Sequence, residues 1–412
     1  MWLVPRSQLT PDQIRAVELP ASEHRVIVGG PGSGKTLMLL HRAAYLRERF
    51  KVSPERFRIF VFTNVLKEYI RSGLSLLDIP EDCVATFHSW CVQALRERGH
   101  RSTPWDAEAK RPDFPAILNL LLDSYRRDPP RKRPFDFILV DEGQDLEPEC
   151  FEILRHISEH VTVCMDRRQQ IYDKGSDAQE VLNALGLRRA NVALLENYRC
   201  CPYIVEMAAT LLDDPDERAA YLRQTRTTQG ARETPVLRIA RDAEEERQFV
   251  FDVTRTRVAA GDRVAVLLPR RSQAFGFAKG LREAGIDAED PRHVDFTTNK
   301  PKVMPYHSAK GLTFDSVLLP RLGQSAFRQV TAERMQNILF VGITRALGWV
   351  YLSAPEGSML PLLHRFDALA SKGILTVHRS EVAGQGRMDF GKEHASGPRP
   401  GEDDDDDPID IL

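Results

Sequence analysis

Apolar residues fall along this chain in short β-rich runs separated by amphipathic stretches. "RVIVGG" (25–30) leads into the helix-like "KTLMLLHRAAYLRERF", and "FRIFVFT" (57–63) leads into "NVLKEYIRSGL". The same alternation continues through "DFILVDE", "VTVCMD", "RVAVLLP", "SVLLP" and "WVYLSAP". Strand signals alternating with helical patterns predict parallel sheets covered by helices, an α/β architecture. The runs form two groups, roughly 25–195 and 235–355, which predicts two sheets. Residues 91–135 give no strand signal, and "SYRRDPPRKRP" within them is basic and proline-rich. From about 380 the chain is Gly-rich and polar and ends in acids, a composition expected to stay disordered. The predicted units are 1–195, 196–378 and a tail, 379–412.

Length supports that division, because 412 residues exceed one ordinary core. No apolar run approaches the roughly 20 residues that cross a bilayer. "MWLVPRSQLTPDQ" lacks the basic head and apolar stretch of a signal peptide. Six cysteines without a CxxC pair predict neither a disulfide framework nor a zinc site. A reduced, cytoplasmic protein without membrane contact is expected. The net charge of −2 hides an asymmetry, since the last eleven residues, "EDDDDDPIDIL", hold seven acids and no base. Without them 57 bases face 52 acids, a mildly basic body of the kind that binds polyanions.

"VGGPGSGKT" (28–36) fits G-x-x-x-x-G-K-[ST], with Gly29, Gly34, Lys35 and Thr36 at the fixed positions and Gly32 between them. Glycines let backbone N–H groups curl around phosphates, and the following helix N-terminus adds partial positive charge. In this pattern the lysine reaches the β and γ phosphates and the threonine hydroxyl ligates Mg²⁺. The motif follows an apolar run and opens a helical one, as the mechanism requires. A P-loop nucleotidase also needs a strand ending in an acid that holds Mg²⁺. "FILVDE" supplies Asp141 for that task, with Glu142 beside it to polarise water. ATP and Mg²⁺ are the expected cofactors.

With these motifs placed, the chain resembles the UvrD/Rep-type superfamily 1 helicases, including the PcrA branch. "LTPDQ", "GGPGSGKT", "VFTN", "TFHSW", "DEGQD", "DRRQQIY", "LLENYR", "HSAKGLTFD" and "VGITRA" occur in the family's order between residues 9 and 353. The resemblance implies two tandem RecA-like domains with nucleotide in the cleft between them. It implies that Gln13 reads the adenine edge and Tyr198 stacks on the base. Arg199 and Arg345 match arginines that contact the γ-phosphate from the second domain, and Gln169 matches a γ-phosphate sensor. Phe62, Thr63, Asn64, Thr86 and His88 match single-strand contacts of the first domain, and His307 and Ser308 those of the second. Phe62 and Tyr172 are the candidate stacking faces.

Three departures qualify the resemblance. "IYDKGSD" has Asp173, Lys174 and Gly175 where the family carries a tryptophan, and Thr313 replaces a ribose-contacting glutamate. Only about 50 residues separate "TFHSW" from "DEGQD", and about twenty separate "LREAGI" from "PYHSAKGL". The first insertion domain is therefore read as reduced, to 91–135, and the second as essentially absent. The expectation is a Mg²⁺/ATP-dependent single-stranded DNA translocase or helicase, with 3′→5′ polarity taken from the resemblance alone. The alternative is an ATPase subunit of a repair or defence complex that gates or senses nucleic acid beside a nuclease partner. No single residue separates a DNA track from an RNA one. The acidic tail is read first as a solvated, solubilising end, and a protein partner, through that tail or in place of the missing insertions, is the alternative.

Overall fold

The computed structural model describes residues 3–30, 32–108, 110–166, 178–187, 192–194, 201–225, 233–328 and 330–380. The first half runs α1 (Pro11–Val17), β1 (Arg25–Gly29), α2 (Lys35–Phe50), β2 (Phe57–Val61), α3 (Asn64–Arg71), β3 (Val84–Thr86) and α4 (Phe87–Glu97). A small hairpin follows, β4 (Trp105–Asp106) and β5 (Arg111–Pro112), then α5 (Phe114–Arg127) and β6 (Phe135–Val140). α6 (Pro148–Ile157), β7 (Ser158–Met165), α7 (Ala178–Ala184) and β8 (Val192–Leu194) complete the sheet. Its order is β3-β2-β6-β7-β1-β8, parallel throughout.

The second half begins with α8 (Pro202–Thr210) and α9 (Pro215–Gln224). It continues through β9 (Val236–Ala240), α10 (Ala243–Ala259), β10 (Val264–Leu268), α11 (Arg271–Glu283) and β11 (Lys302–Pro305). β12 (Phe314–Leu319), α12 (Ala332–Ile343), β13 (Ala346–Pro355) and β14 (Thr376–Arg379) follow. The order is β11-β10-β12-β13-β9-β14, again parallel. Numbered by sequence within each sheet, both orders read 3-2-4-5-1-6, so one topology is used twice.

The strands read from the apolar runs are present, and short ones join them. β3, β8 and β11 have three or four residues each, too few for a periodicity signal. β14 lies beyond the limit of 355 set for the second group. The segment expected to lack strands carries the β4–β5 hairpin, held by only two residues per arm. Its helices α4 and α5 belong to the first sheet's own covering layer. Cys91, Leu95, Ile117, Leu121 and Tyr125 pack with Phe151 and Leu154 of α6 against the outer face of that sheet.

Alternation along each strand divides the core into layers. Val26, Phe60, Ile138 and Val163 face the α4–α6 side, whereas Ile27, Ile59, Leu139 and Cys164 face α2 and α3. That second layer continues without a break into the other sheet, where it includes Tyr306, Leu312, Phe314 and Leu339. Tyr69 of α3 meets Phe296 edge-on at 5.0 Å across the junction. The five described cysteines are buried and unpaired, and no described helix is long and apolar enough to cross a membrane.

Candidate nucleotide and nucleic-acid site

Open α/β sheets take ligands at the carboxyl ends of their strands, and β1 and β6 end on either side of β7. β1 delivers Gly29 and Gly30 into a tight turn in which Gly32 and Gly34 have φ of +75° and +80°. Gly34 is required twice over. Its left-handed φ disfavours a side chain, and a Cβ there would lie 2.4 Å from Gln13 Nε2. Lys35 and Thr36 open α2. Lys35 is buried, its ammonium donating to the carbonyls of Gly29 (2.9 Å) and Gly30 (3.0 Å) and pairing with Asp166 at 3.2 Å. The Thr36 hydroxyl donates to Asp141 Oδ2 at 2.6 Å.

Asp141 and Glu142 follow β6, both buried. Glu142 has φ of +54°, an uncommon conformation for a side-chain-bearing residue, which turns the chain into the short Gly143–Asp145 helix. Gln144 Nε2 donates to Glu142 at 2.5 Å, and Gln144 Oε1 accepts from the Asp166 amide at 2.9 Å. Burial, reinforced by the Glu142 charge, raises the Asp141 carboxyl above its usual range. Burial pushes Glu142 the same way, but the cations of Lys310, Lys35 and Arg345 outweigh it and leave Glu142 lowered and ionised. Lys310 and Arg345 belong to the second sheet, so the acid cluster already lies in a field from both halves.

Gln13 stands in α1 within a capping box. Its Oε1 accepts from the Thr10 amide at 3.0 Å, and its Nε2 donates to the Ser33 carbonyl at 3.0 Å. The amide expected to read adenine is thus bonded to the phosphate turn itself. Arg345 is buried directly before β13 and donates to the Val341 carbonyl, the Leu312 carbonyl and the Thr344 hydroxyl. Gln169, Tyr172, Tyr198 and Arg199 lie outside the described residues, as does the acidic tail. Thr313, placed where the family has its ribose contact, has its hydroxyl 3.4 Å from the Tyr69 hydroxyl on α3.

These residues fit Mg²⁺–ATP. Two left-handed glycines shape a turn of backbone, a hydroxyl and a carboxylate of Mg²⁺-binding type already touch, and a lysine stands beside them. The Ser33 hydroxyl in the same turn is buried with no hydrogen-bond partner among the described residues. The matching position in the second sheet, between β9 and α10, is closed. There Asp242 caps α10 by accepting from the Glu244 and Glu245 amides, and Glu244, Glu245 and Glu246 fill the first turn. A phosphate would meet four carboxylates where the first sheet offers N–H groups and a lysine.

The expected nucleic-acid residues gather at the ends of β2, β3 and β11. Phe62 lies 5.7 Å from His88, and His88 lies 4.3 Å from Phe114, all three half-buried. Phe114, the first residue of α5, escaped the sequence reading. Its signal was an aromatic set directly after the capping Asp113, inside a segment read as an insertion. Thr63 and Thr86 spend their hydroxyls as N-caps, accepting from the Leu66 and Ser89 amides, so their local role is to start α3 and α4. Asn64 Oδ1 accepts from Lys67 at 3.2 Å. His307 and the buried Ser308 lie in the turn after β11. Burial lowers both His88 and His307 to about 4, with Arg271 adding to the effect at His307, so both rings are neutral at physiological pH.

Two tandem parallel sheets of one topology, with a P-loop and its acid on the first and an arginine and a lysine reaching in from the second, give the architecture of a tandem-domain P-loop protein. Residues 9–128 match the UvrD/REP helicase N-terminal domain. The chain is 22% identical to the ATP-dependent DNA helicase PcrA of Leuconostoc citreum, over 80% of this chain and 57% of that protein. It is 24% identical to PcrA of Staphylococcus aureus over 50% of this chain and 40% of the other. A 33% match to the ATP-dependent DNA helicase SRS2 of Saccharomyces cerevisiae covers 24% of this chain and 9% of that protein. These matches support a resemblance to the UvrD/PcrA type of superfamily 1, and the chain spans little more than half the length of the first of these relatives. The crystal structure of the C-terminal domain of a possible DNA helicase from Lactobacillus plantarum matches at a TM-score of 0.35 and 20% identity. That match covers 44% of this chain and 98% of that one.

Proposed function

We propose that the chain is an ATP-driven motor on single-stranded DNA, hydrolysing Mg²⁺–ATP between its two sheets and moving 3′→5′. The 2.6 Å bond between Thr36 and Asp141 carries this reading, because it joins the two expected Mg²⁺ ligands one residue from Glu142. Bound there, Mg²⁺–ATP supplies a γ-phosphoryl group whose charge is partly neutralised. Thr36 and Asp141 would hold the cation. Lys35 exchanges the Gly29 and Gly30 carbonyls for phosphate oxygens. Glu142, ionised under its three neighbouring cations, accepts the proton of the attacking water. Arg345 supports the γ-phosphate from the opposite wall.

The rings of Phe62, His88 and Phe114 offer stacking faces, which suit a motor because every base has one. Neutral His88 and His307 contribute contact without charge, so the salt dependence of binding falls to lysines and arginines on the phosphates. DNA as the track follows the relatives, PcrA and SRS2, both named as DNA helicases. The test is ATP turnover by the purified chain with and without single-stranded DNA over a salt series, with Lys35→Ala beside it. Strong, salt-sensitive stimulation that the variant loses is the expected result. Turnover indifferent to DNA refutes the motor, and stimulation by RNA alone refutes the track. Strand displacement from 3′ and 5′ overhangs tests the polarity.

A further inference from the structure

The hairpin between α4 and α5 carries the most exposed large apolar side chain among the described residues. Trp105 is 60% exposed and packs into none of their hydrophobic clusters. Its cross-strand partner is Pro112, in a ladder of two residue pairs. Hairpins this short have little stability of their own, but this one is held at both ends. At its base the Asp113 amide donates to the Pro104 carbonyl at 3.0 Å. In its turn the Asp106 carboxylate accepts from the Glu108 amide at 3.0 Å, and Lys110 follows with φ of +49°. The indole is therefore displayed on a shaped stem. That stem stands directly before Phe114, the outer ring of the Phe62–His88–Phe114 row. Phe114 lies two residues beyond Pro112, the diagonal cross-strand position from Trp105, a separation of roughly 7–8 Å. The row thus runs from half-buried rings at the ends of β2 and β3 outward to an exposed indole.

We propose that Trp105 is a further stacking face for single-stranded DNA, taking the base next beyond the one at Phe114 and lengthening the stretch of strand that the first domain holds. The proposal rests on the functional reading above. Charge at the hairpin fits this occupant. Arg101 and Lys110 are exposed on either side of Trp105 in the sequence, against one exposed carboxylate between residues 100 and 113, Glu108. A ring with cations beside it suits a single strand, whose bases stack while its phosphates pair. An indole has the largest face for the purpose, and stacking on it makes no demand on base identity.

The experiment uses the full chain and fluorescein-labelled oligothymidylates of increasing length, read by anisotropy. In the unaltered protein affinity is expected to rise with length until the strand covers all four rings. Trp105→Ala is expected to weaken the long oligonucleotides by about 5- to 150-fold, the worth of one stacked base. It leaves the shortest oligonucleotide that binds unaffected, and it leaves the melting temperature in place because the indole is exposed. Trp105→Phe, which keeps a ring, retains most of the long-strand affinity. Lys110→Ala lowers the slope of log affinity against log salt by about 0.7, one phosphate contact on a single strand. Equal affinity of Trp105→Ala and the unaltered protein at every length overturns the proposal and leaves the hairpin to a protein partner. A loss of the same size at every length also overturns it, because Trp105 then only supports Phe114. Failure of the unaltered protein to bind any of the oligonucleotides refutes the motor reading itself, before any variant is made.

Discussion

Arg42 offers the sharpest test of how the proposed adenine end of the site is built. It sits two turns into α2, wholly buried, without a carboxylate partner among the described residues. Its guanidinium donates to the carbonyls of Val17 (2.9 Å) and Leu19 (2.8 Å), and more weakly to Ala16 (3.4 Å). It also donates to the Thr162 hydroxyl (2.9 Å) and to His160 Nε2 (3.1 Å). Burial lowers its pKa to about 10, so it stays charged at neutral pH. Ala16 and Val17 close α1, where the last carbonyls lack partners within the helix and carry the negative end of its dipole. Arg42 is thus the C-terminal anchor of the helix whose N-terminal turn holds Gln13 against the Ser33 carbonyl.

Replacing Arg42 by Met strands at least three well-bonded acceptors, at about 1–3 kcal/mol each. Relief from burying an unpaired cation returns several kcal/mol, leaving a net loss of about 2–4 kcal/mol. For a domain of this size that lowers the melting temperature by roughly 5–15 °C. The functional readout is the ratio of ATP to GTP affinity. As α1 loosens, Gln13 loses its place and adenine preference falls, while inorganic triphosphate binding, which rests on the phosphate turn, is kept. Arg42→Lys gives the same pattern, since one ammonium cannot reach all these acceptors. A stability loss below about 0.5 kcal/mol, or unchanged adenine preference in a destabilised variant, refutes the anchoring argument.

Phe114→Ala removes one face of the Phe62–His88–Phe114 row and is expected to weaken oligonucleotide binding by about 1–3 kcal/mol, while Phe114→Trp keeps it. Fluorescence anisotropy measures both, and an alanine variant that binds normally removes Phe114 from the track. His160 gives a pH test. Burial, with Arg42 and His24 adding charge, lowers it to about 3. The unfolded chain binds a proton below about 6.5 that the folded chain refuses, so stability falls as pH drops from 6.5 toward 3. Between pH 7 and 5 this residue alone costs about 2 kcal/mol, read as a shift in urea midpoint that His160→Gln should abolish.

The phosphate turn and its acid were legible in the sequence because that chemistry is local: Gly29 to Thr36 are contiguous, and Asp141 follows an apolar strand. Both sheets were legible for the same reason, through runs such as "FILV" and "VAVLL" whose burial follows from composition. What stayed hidden depends on contact between distant segments. Phe114 joins the ring row only because α5 starts beside α4, and Lys310 meets Asp145 across 165 positions. Three-residue strands such as β3 and β8 take their conformation from neighbours in the sheet and leave too short a pattern to read. Thr63 and Thr86 show the converse. Their motif strings were visible, but not that their hydroxyls are committed to capping helices.

The repeated topology explains why two sheets make one site. In the first sheet the turn after strand one is glycine-rich and opens on a lysine; in the second, the same turn ends in Asp242 and three glutamates. The closed copy serves its neighbour instead, offering Arg345 and Lys310 to acids that Lys35 of the first sheet compensates only in part. In the proposed reading, nucleotide between the sheets adds charge to a junction already balanced by ions from both sides. A ligand moves such an equilibrium only by its differential affinity for the two arrangements, and in the proposed motor a single γ-phosphate held from both walls would supply that difference and lose it on hydrolysis. Were both turns competent, two nucleotides would act on separate faces, and neither loss would be felt at the junction alone.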